Sequence, residues 1–181
     1  MNKLAIALSA ALSLGAAASA SAQDATINFV GNITATSCDI AIGGEAASNT
    51  VTLPTLSKGA LATKDAGIRK FTVTLGDGTV DGCSGNTAEL VLDKDHVDNG
   101  TGRLVNQHAG TVDEPKAEGV DILIRDGDGN DIHLATDRVT VAKTGNNFVF
   151  NFQALYHVTG DIADVEAGRF TAALPFIVEH Y

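Results

Sequence analysis

Tryptophan is absent from the 181 residues, methionine occurs once, proline three times and cysteine twice. Positive charge is also scarce. The chain has 12 Lys and Arg against 22 Asp and Glu, a formal net charge of −10. Phosphate binding needs a dense Lys/Arg face, so this balance argues against a nucleic-acid partner. It argues equally against docking on anionic lipid. No apolar run reaches the roughly 18 residues of a membrane-spanning helix, so no span is expected. Two cysteines without nearby histidines are too few for a closed zinc site, which takes four ligands. His96, His108, His133, His157 and His180 are scattered, with no i, i+4 pair on a helix. What remains is a chain with 44% apolar and 19% charged residues, which is not the composition of a disordered protein. Its length fits one domain with a buried core.

The N-terminus reads as an export signal. Met1-Asn2-Lys3 gives a short basic start, Leu4 to Ala18 is an uncharged apolar and small-residue run, and Ala18-Ser19-Ala20 and Ala20-Ser21-Ala22 fit small-x-small cleavage. Residues 1–22 are therefore expected to be a signal peptide. Cleavage after Ala22 removes only Lys3 among the charges, leaving 11 − 22 = −11. Export places Cys38 and Cys83 in an oxidising compartment, and a disulfide between them is expected.

After residue 22 the pattern is strand and turn. Ala25-Thr26-Ile27-Asn28-Phe29 alternates with period two. Val51–Leu53, Phe71–Leu75, Ala88–Leu92, Val120–Ile124, Ile132–Leu134 and Val139–Val141 read as further short strands. Asn147 to Val158 reads as a long strand, with Phe148, Phe150 and Phe152 on one face. The final strand is expected from about Arg169 to Tyr181. Ser57 to Asp65 is expected to form one short helical turn. Arg125–Asp131, with its alternating Asp and Gly, is a hairpin turn signal. Many short strands with such punctuation predict an all-β sandwich or barrel. The nine aromatics are unevenly placed: seven fall within residues 148–181, leaving Phe29 and Phe71 elsewhere. An apolar strand ending the chain exposes a backbone edge, an aggregation hazard unless another strand pairs with it.

No catalytic group can be nominated. Asp126-x-Asp128-x-Asn130 has the opening of a calcium loop, but Asp131 stands where that loop needs Gly, and the flanks are strands. Gly82-Cys83-Ser84-Gly85 lacks the spacing of a nucleophile elbow. Asp93-Lys94-Asp95 and Asp161 to Glu166 read as charged turns. No carboxylate pair has a spacing that points to acid–base work. The chain is thus expected to be non-enzymatic and without a cofactor.

Several segments, in order, resemble the subunits of chaperone–usher pili. Residues 25–38 (Ala-Thr-Ile-Asn-Phe-Val-Gly-Asn-Ile-Thr-Ala-Thr-Ser-Cys) are similar to the family's opening strand, with its nine-position step from Phe29 to Cys38. Thr52-Leu53-Pro54-Thr55-Leu56-Ser57-Lys58 is similar to its L-P-x-V-S-K segment. Gly82-Cys83 sits where a second Cys is found. Gly119-Val120-Asp121-Ile122 with the 126–130 turn, and Phe152-Gln153-Ala154-Leu155-Tyr156 with Thr159-Gly160, resemble two further strand motifs. A C-terminal strand ending in an aromatic completes the likeness. Two positions differ from the family pattern: Ala25 stands in place of Gly, and His180 in place of a penultimate Tyr.

The resemblance implies an immunoglobulin-like sandwich lacking its last strand and completed by donor-strand complementation, a known mode of β-strand addition. It implies residues 23–30 as the donor-strand extension and 31–181 as the domain. Ala25, Ile27 and Phe29 would face a neighbour's groove, with Phe176, Val178, His180 and Tyr181 as acceptor and chaperone-binding edge. The implied partners are a periplasmic chaperone, an outer-membrane usher and identical or related subunits in a surface fimbria. A free-standing exported immunoglobulin-like binding module is the alternative.

Overall fold

A computed structural model describes residues 38–43, 49–78 and 83–181. Its strands are β1 (Ile40–Ile42), β2 (Arg69–Leu75), β3 (Thr87–Leu92), β4 (Val120–Asp126), β5 (Val139–Ala142), β6 (Phe148–Val158) and β7 (Phe176–His180). Short 3₁₀ turns occur at Lys58–Ala62 and Ile162–Asp164. The strands form two antiparallel sheets, ordered β1-β2-β6-β4 and β5-β3-β7.

The core follows from period-two alternation. Along β6, Phe148, Phe150, Phe152 and Ala154 point inward, and Phe148 and Phe150 are essentially fully buried. Their β2 partners are Leu75, Val73, Phe71 and Arg69. Phe71 stacks on Phe152 with ring centroids 5.3 Å apart. Ala88 and Leu90 of β3 close the core from the second sheet. The opposite face of the first sheet is polar in part. Asp121 of β4 is buried there, 3.4 Å from Arg103 and 3.2 Å from His157. Burial raises its pKa against the opposing influence of Arg103 and His157.

Three strand expectations are corrected. Val51–Leu53 is not a strand: Pro54 lacks an N–H, and the Thr52 carbonyl accepts from the Arg69 side chain at 2.9 Å. Ile132–Leu134 makes one ladder bond, from Ile132 N–H to Ile124 O. A local turn then takes over, in which His133 O accepts from the Thr136 and Asp137 N–H groups and the Asp137 carboxylate accepts from His133 N–H. Ile132 and Leu134 nevertheless reach the core. The final strand begins at Phe176, not near Arg169, because residues 169–171 bond to the segments of Pro115, Ala117, Asn106 and Gln107, and Pro175 offers no donor. β1 escaped the sequence pattern altogether. The short turn appears as Lys58–Ala62, capped by the Ser57 side chain. The Ala25–Phe29 strand lies outside the described residues.

Candidate assembly edge

The two cysteines meet as a disulfide, with Cα atoms 5.2 Å apart across a sequence separation of 45. It fastens the chain entering β1 to the chain entering β3, and so spans the two sheets. A loop of that length gives about 4 kcal/mol in the chain-entropy account.

β7 forms one side of the second sheet. Its register on β3 pairs His180 with Ala88, Val178 with Leu90 and Phe176 with Leu92. These six side chains share the core-facing side, but their burial differs. Ala88 and Leu90 are 0% and 3% exposed, whereas Phe176, Val178 and His180 are only half-buried. Ile177 and Glu179 face outward, and Ile177 is 62% exposed. Phe170, Leu174 and Tyr156, also half-buried, pack against the same core. Tyr156 meets Phe170 edge-on at 6.1 Å, and burial raises the pKa of its hydroxyl.

The backbone phase of β7 follows from its last bonds. Tyr181 N–H donates to Thr87 O at 3.0 Å, and Thr87 N–H donates to Tyr181 O at 3.0 Å. That reciprocal pair makes Glu179–Glu89 and Ile177–Val91 hydrogen-bonded pairs as well, since antiparallel pairs alternate. The N–H and C=O groups of Phe176, Val178 and His180 therefore point away from β3. Among the described residues no strand lies on that side. The residues whose side chains face the core are thus the ones whose backbone groups face the open edge.

The end of β7 is held by Ser84, Gly85 and Asn86, which no sequence pattern marks as partners of this strand. Asn86 N–H also donates to Tyr181 O at 2.9 Å, and Ser84 Oγ lies 3.2 Å from His180 Nδ1. Gly85, at φ +84°, makes this closeness achievable, because a Cβ there would sit 2.8 Å from Tyr181 O. Its place between Ser84 and Asn86 in a turn was the only available signal. The Tyr181 side chain is 64% exposed and contributes through its backbone. Ala25, Ile27 and Phe29 lie outside the described residues. The Asp126 carboxylate is occupied by its own turn, accepting from Asp128 N–H, Asn130 N–H and Asn130 Nδ2 at 2.8–2.9 Å.

Among solved structures, the P pilus rod subunit PapA is similar with a TM-score of 0.56 and 17% identity, over 79% of this chain and 99% of that one. A chaperone–usher pilus structure is similar with a TM-score of 0.54 and 16% identity, over 87% and 95%. The CupB6 tip adhesin of Pseudomonas aeruginosa matches with a TM-score of 0.48 and 18% identity, over 61% of this chain and 29% of that one. The first two show that the fold is that of pilus subunits. No curated protein matches the chain at a significant level. The sequence profile of fimbrial proteins matches residues 27–180, nearly all of the chain beyond the expected signal, and on that match the chain belongs to the fimbrial protein family.

Proposed function

We propose that this chain is a structural, non-enzymatic subunit of a chaperone–usher surface fimbria that polymerises head-to-tail by donor-strand exchange. In this reading residues 1–22 direct export and 23–30 form the donor extension. Residues 31–181 form the domain. A periplasmic chaperone occupies the edge of β7 first, and at an outer-membrane usher the extension of another subunit replaces it. Ala25, Ile27 and Phe29 enter the groove, and Phe176, Val178, His180 and Tyr181 form its acceptor edge. Donor and acceptor are different surfaces, so the contact does not close and an open fibre grows.

One observation carries the proposal: the coincidence on Phe176, Val178 and His180 of outward-pointing backbone groups and half-buried, core-facing side chains. A strand added there bonds to those N–H and C=O groups, and its alternate side chains cover the same core. Family membership and the pilus-subunit fold support it.

The test is to produce the mature chain without a chaperone and add a synthetic peptide of residues 21–32. The expected result is a chain of low stability alone that gains strongly from the peptide. Ile27→Asp is expected to abolish fibre assembly while sparing the chaperone complex, because it places an unpaired charge in an apolar groove. A lone chain that unfolds cooperatively at high denaturant, stays monomeric and ignores the peptide is a free-standing module, and the proposal fails.

A further inference from the structure

We propose that the outer face of the first sheet carries a binding groove for one neutral sugar residue. The groove encloses about 450 Å³, within the roughly 300–1,000 Å³ of small-molecule sites. It lies on the face opposite the core. Phe71, Val73, Phe150 and Phe152 point inward, so their neighbours Lys70, Thr72, Asn151 and Gln153 point outward. Lys70 stands opposite Gln153 and Thr72 opposite Asn151 in the β2–β6 ladder. Directly opposed residues are about 5 Å apart. The two pairs are spaced about 7 Å along the strands. The floor is therefore a four-cornered polar patch with the footprint of a pyranose ring.

The walls are built and fixed. On one side the turn after β4 folds over the sheet. Gln153 Nε2 donates to Gly127 O at 3.3 Å, and a Cβ on Gly127 would lie 2.9 Å from Asn151 Cβ. The turn itself is held by the Asp126 carboxylate and by Arg125, whose guanidinium bonds Asp131 and Asp65 at 2.6 Å each. Asp128, on this turn, lines the groove. On the other side Gly43, bonded through its N–H to Thr72 O at 2.8 Å, closes the end of β1.

The chemistry of the groove selects the ligand class. The side chains of Lys70, Thr72, Asp128 and Asn151 commit no hydrogen bond or ion pair to the described protein, and Gln153 commits only its amide nitrogen. That leaves an ammonium and an amide N–H₂ as donors, two amide oxygens and a carboxylate as acceptors, and a hydroxyl able to do either. One positive and one negative group cancel, which favours an uncharged ligand over an anion. A vicinal diol or triol, whose hydroxyls each donate and accept, matches this mixture. A hydrophobic peptide matches less well, because Phe71 and Phe152, which also line the groove, stack on each other and pack against the core.

The groove is independent of β7, so the test stands apart from the fibre reading. The exported protein, as fibre or monomer, is examined by saturation-transfer NMR with free glucose, galactose, mannose and N-acetylglucosamine. Transfer to at least one sugar is expected. Asn151→Ala keeps the Cβ on which Gly127 rests and is expected to weaken binding about tenfold, the loss of one to two hydrogen bonds. Asp128→Ala is expected to do the same. Thr140→Ala, on β5 of the other sheet, is expected to leave binding unchanged. Absence of transfer from every sugar, or transfer untouched by Asn151→Ala, overturns the proposal. Binding that phosphate competes away and that only Lys70→Ala abolishes identifies an anion site and also overturns it.

Discussion

Gly85 offers the most direct test of how β7 is held against β3. Its φ is +84°, and an added Cβ would lie 2.8 Å from the Tyr181 carbonyl oxygen and 2.9 Å from that residue's carbonyl carbon and nitrogen. The obstacle is backbone, fixed by three hydrogen bonds from and to Asn86 and Thr87, and no side-chain rotation relieves it. Gly85→Ala therefore carries two costs. An L-residue in left-handed backbone costs about 1–2 kcal/mol. Moving Tyr181 aside breaks one or two hydrogen bonds, each worth about 1 kcal/mol net. The sum, about 2–4 kcal/mol, corresponds to roughly 30- to 700-fold in a local opening constant. Hydrogen exchange of the Glu179 and Tyr181 amides, both directed at β3, reads that constant. Gly145→Ala is the control: its φ is +62° with nothing within 4 Å of the new Cβ. It carries the backbone cost alone, and it is remote from β7 in sequence. If Gly85→Ala speeds Tyr181 exchange no more than Gly145→Ala does, the packing of Gly85 on Tyr181 does not hold the strand, and the reasoning is refuted.

Two further outcomes are expected. Phe150→Ala removes a ring that is 1% exposed and stacked near Phe152, and should cost about 3–5 kcal/mol in urea unfolding of the peptide-complemented chain. Val112→Ala, at a fully exposed position, should stay within about 0.5 kcal/mol, and equal midpoints for the two variants would contradict the core assignment. The side chain and N–H of Asn130 and the N–H of Asp128 hold the Asp126 carboxyl below its ordinary value of 3.8. Its stabilising contribution is therefore full above that value and is lost as pH falls through the lower folded-state pKa. Asp126→Asn should accordingly trail the parent chain at pH 7 and lose that deficit in acid, and a deficit that persists unchanged at the acid end would show that the carboxylate is not the source.

How much of this could be read in advance varied with the range of the interaction. β2, β3, β4, β5 and β6 were legible because each is a short run rich in β-branched, aromatic or other apolar residues bounded by turn residues, with clear period-two alternation in β2 and in Phe148, Phe150 and Phe152 of β6. β1 has three residues and no alternation to detect. Ile132–Leu134 had the apolar residues of a strand but lost its ladder to Asp137, whose carboxylate caps the local turn. The late start of β7 reflects Pro175 and the competing bonds of residues 169–171. A period-two pattern does not register either effect.

By itself the sequence determined the fold class, the pairing of Cys38 with Cys83 and the family resemblance. These rest on local periodicity, compartment chemistry and the order of short motifs, which need no knowledge of what lies across the core. The tertiary structure alone decided which backbone groups of β7 face outward, because that phase is set by the reciprocal pair of bonds between Thr87 and Tyr181. It also decided that Gly85 must be glycine, that Asp121 is buried between Arg103 and His157, and that Lys70, Thr72, Asn151, Gln153 and Asp128 gather in one groove. Each of those depends on residues far apart in the chain, brought together only by strand register and sheet order.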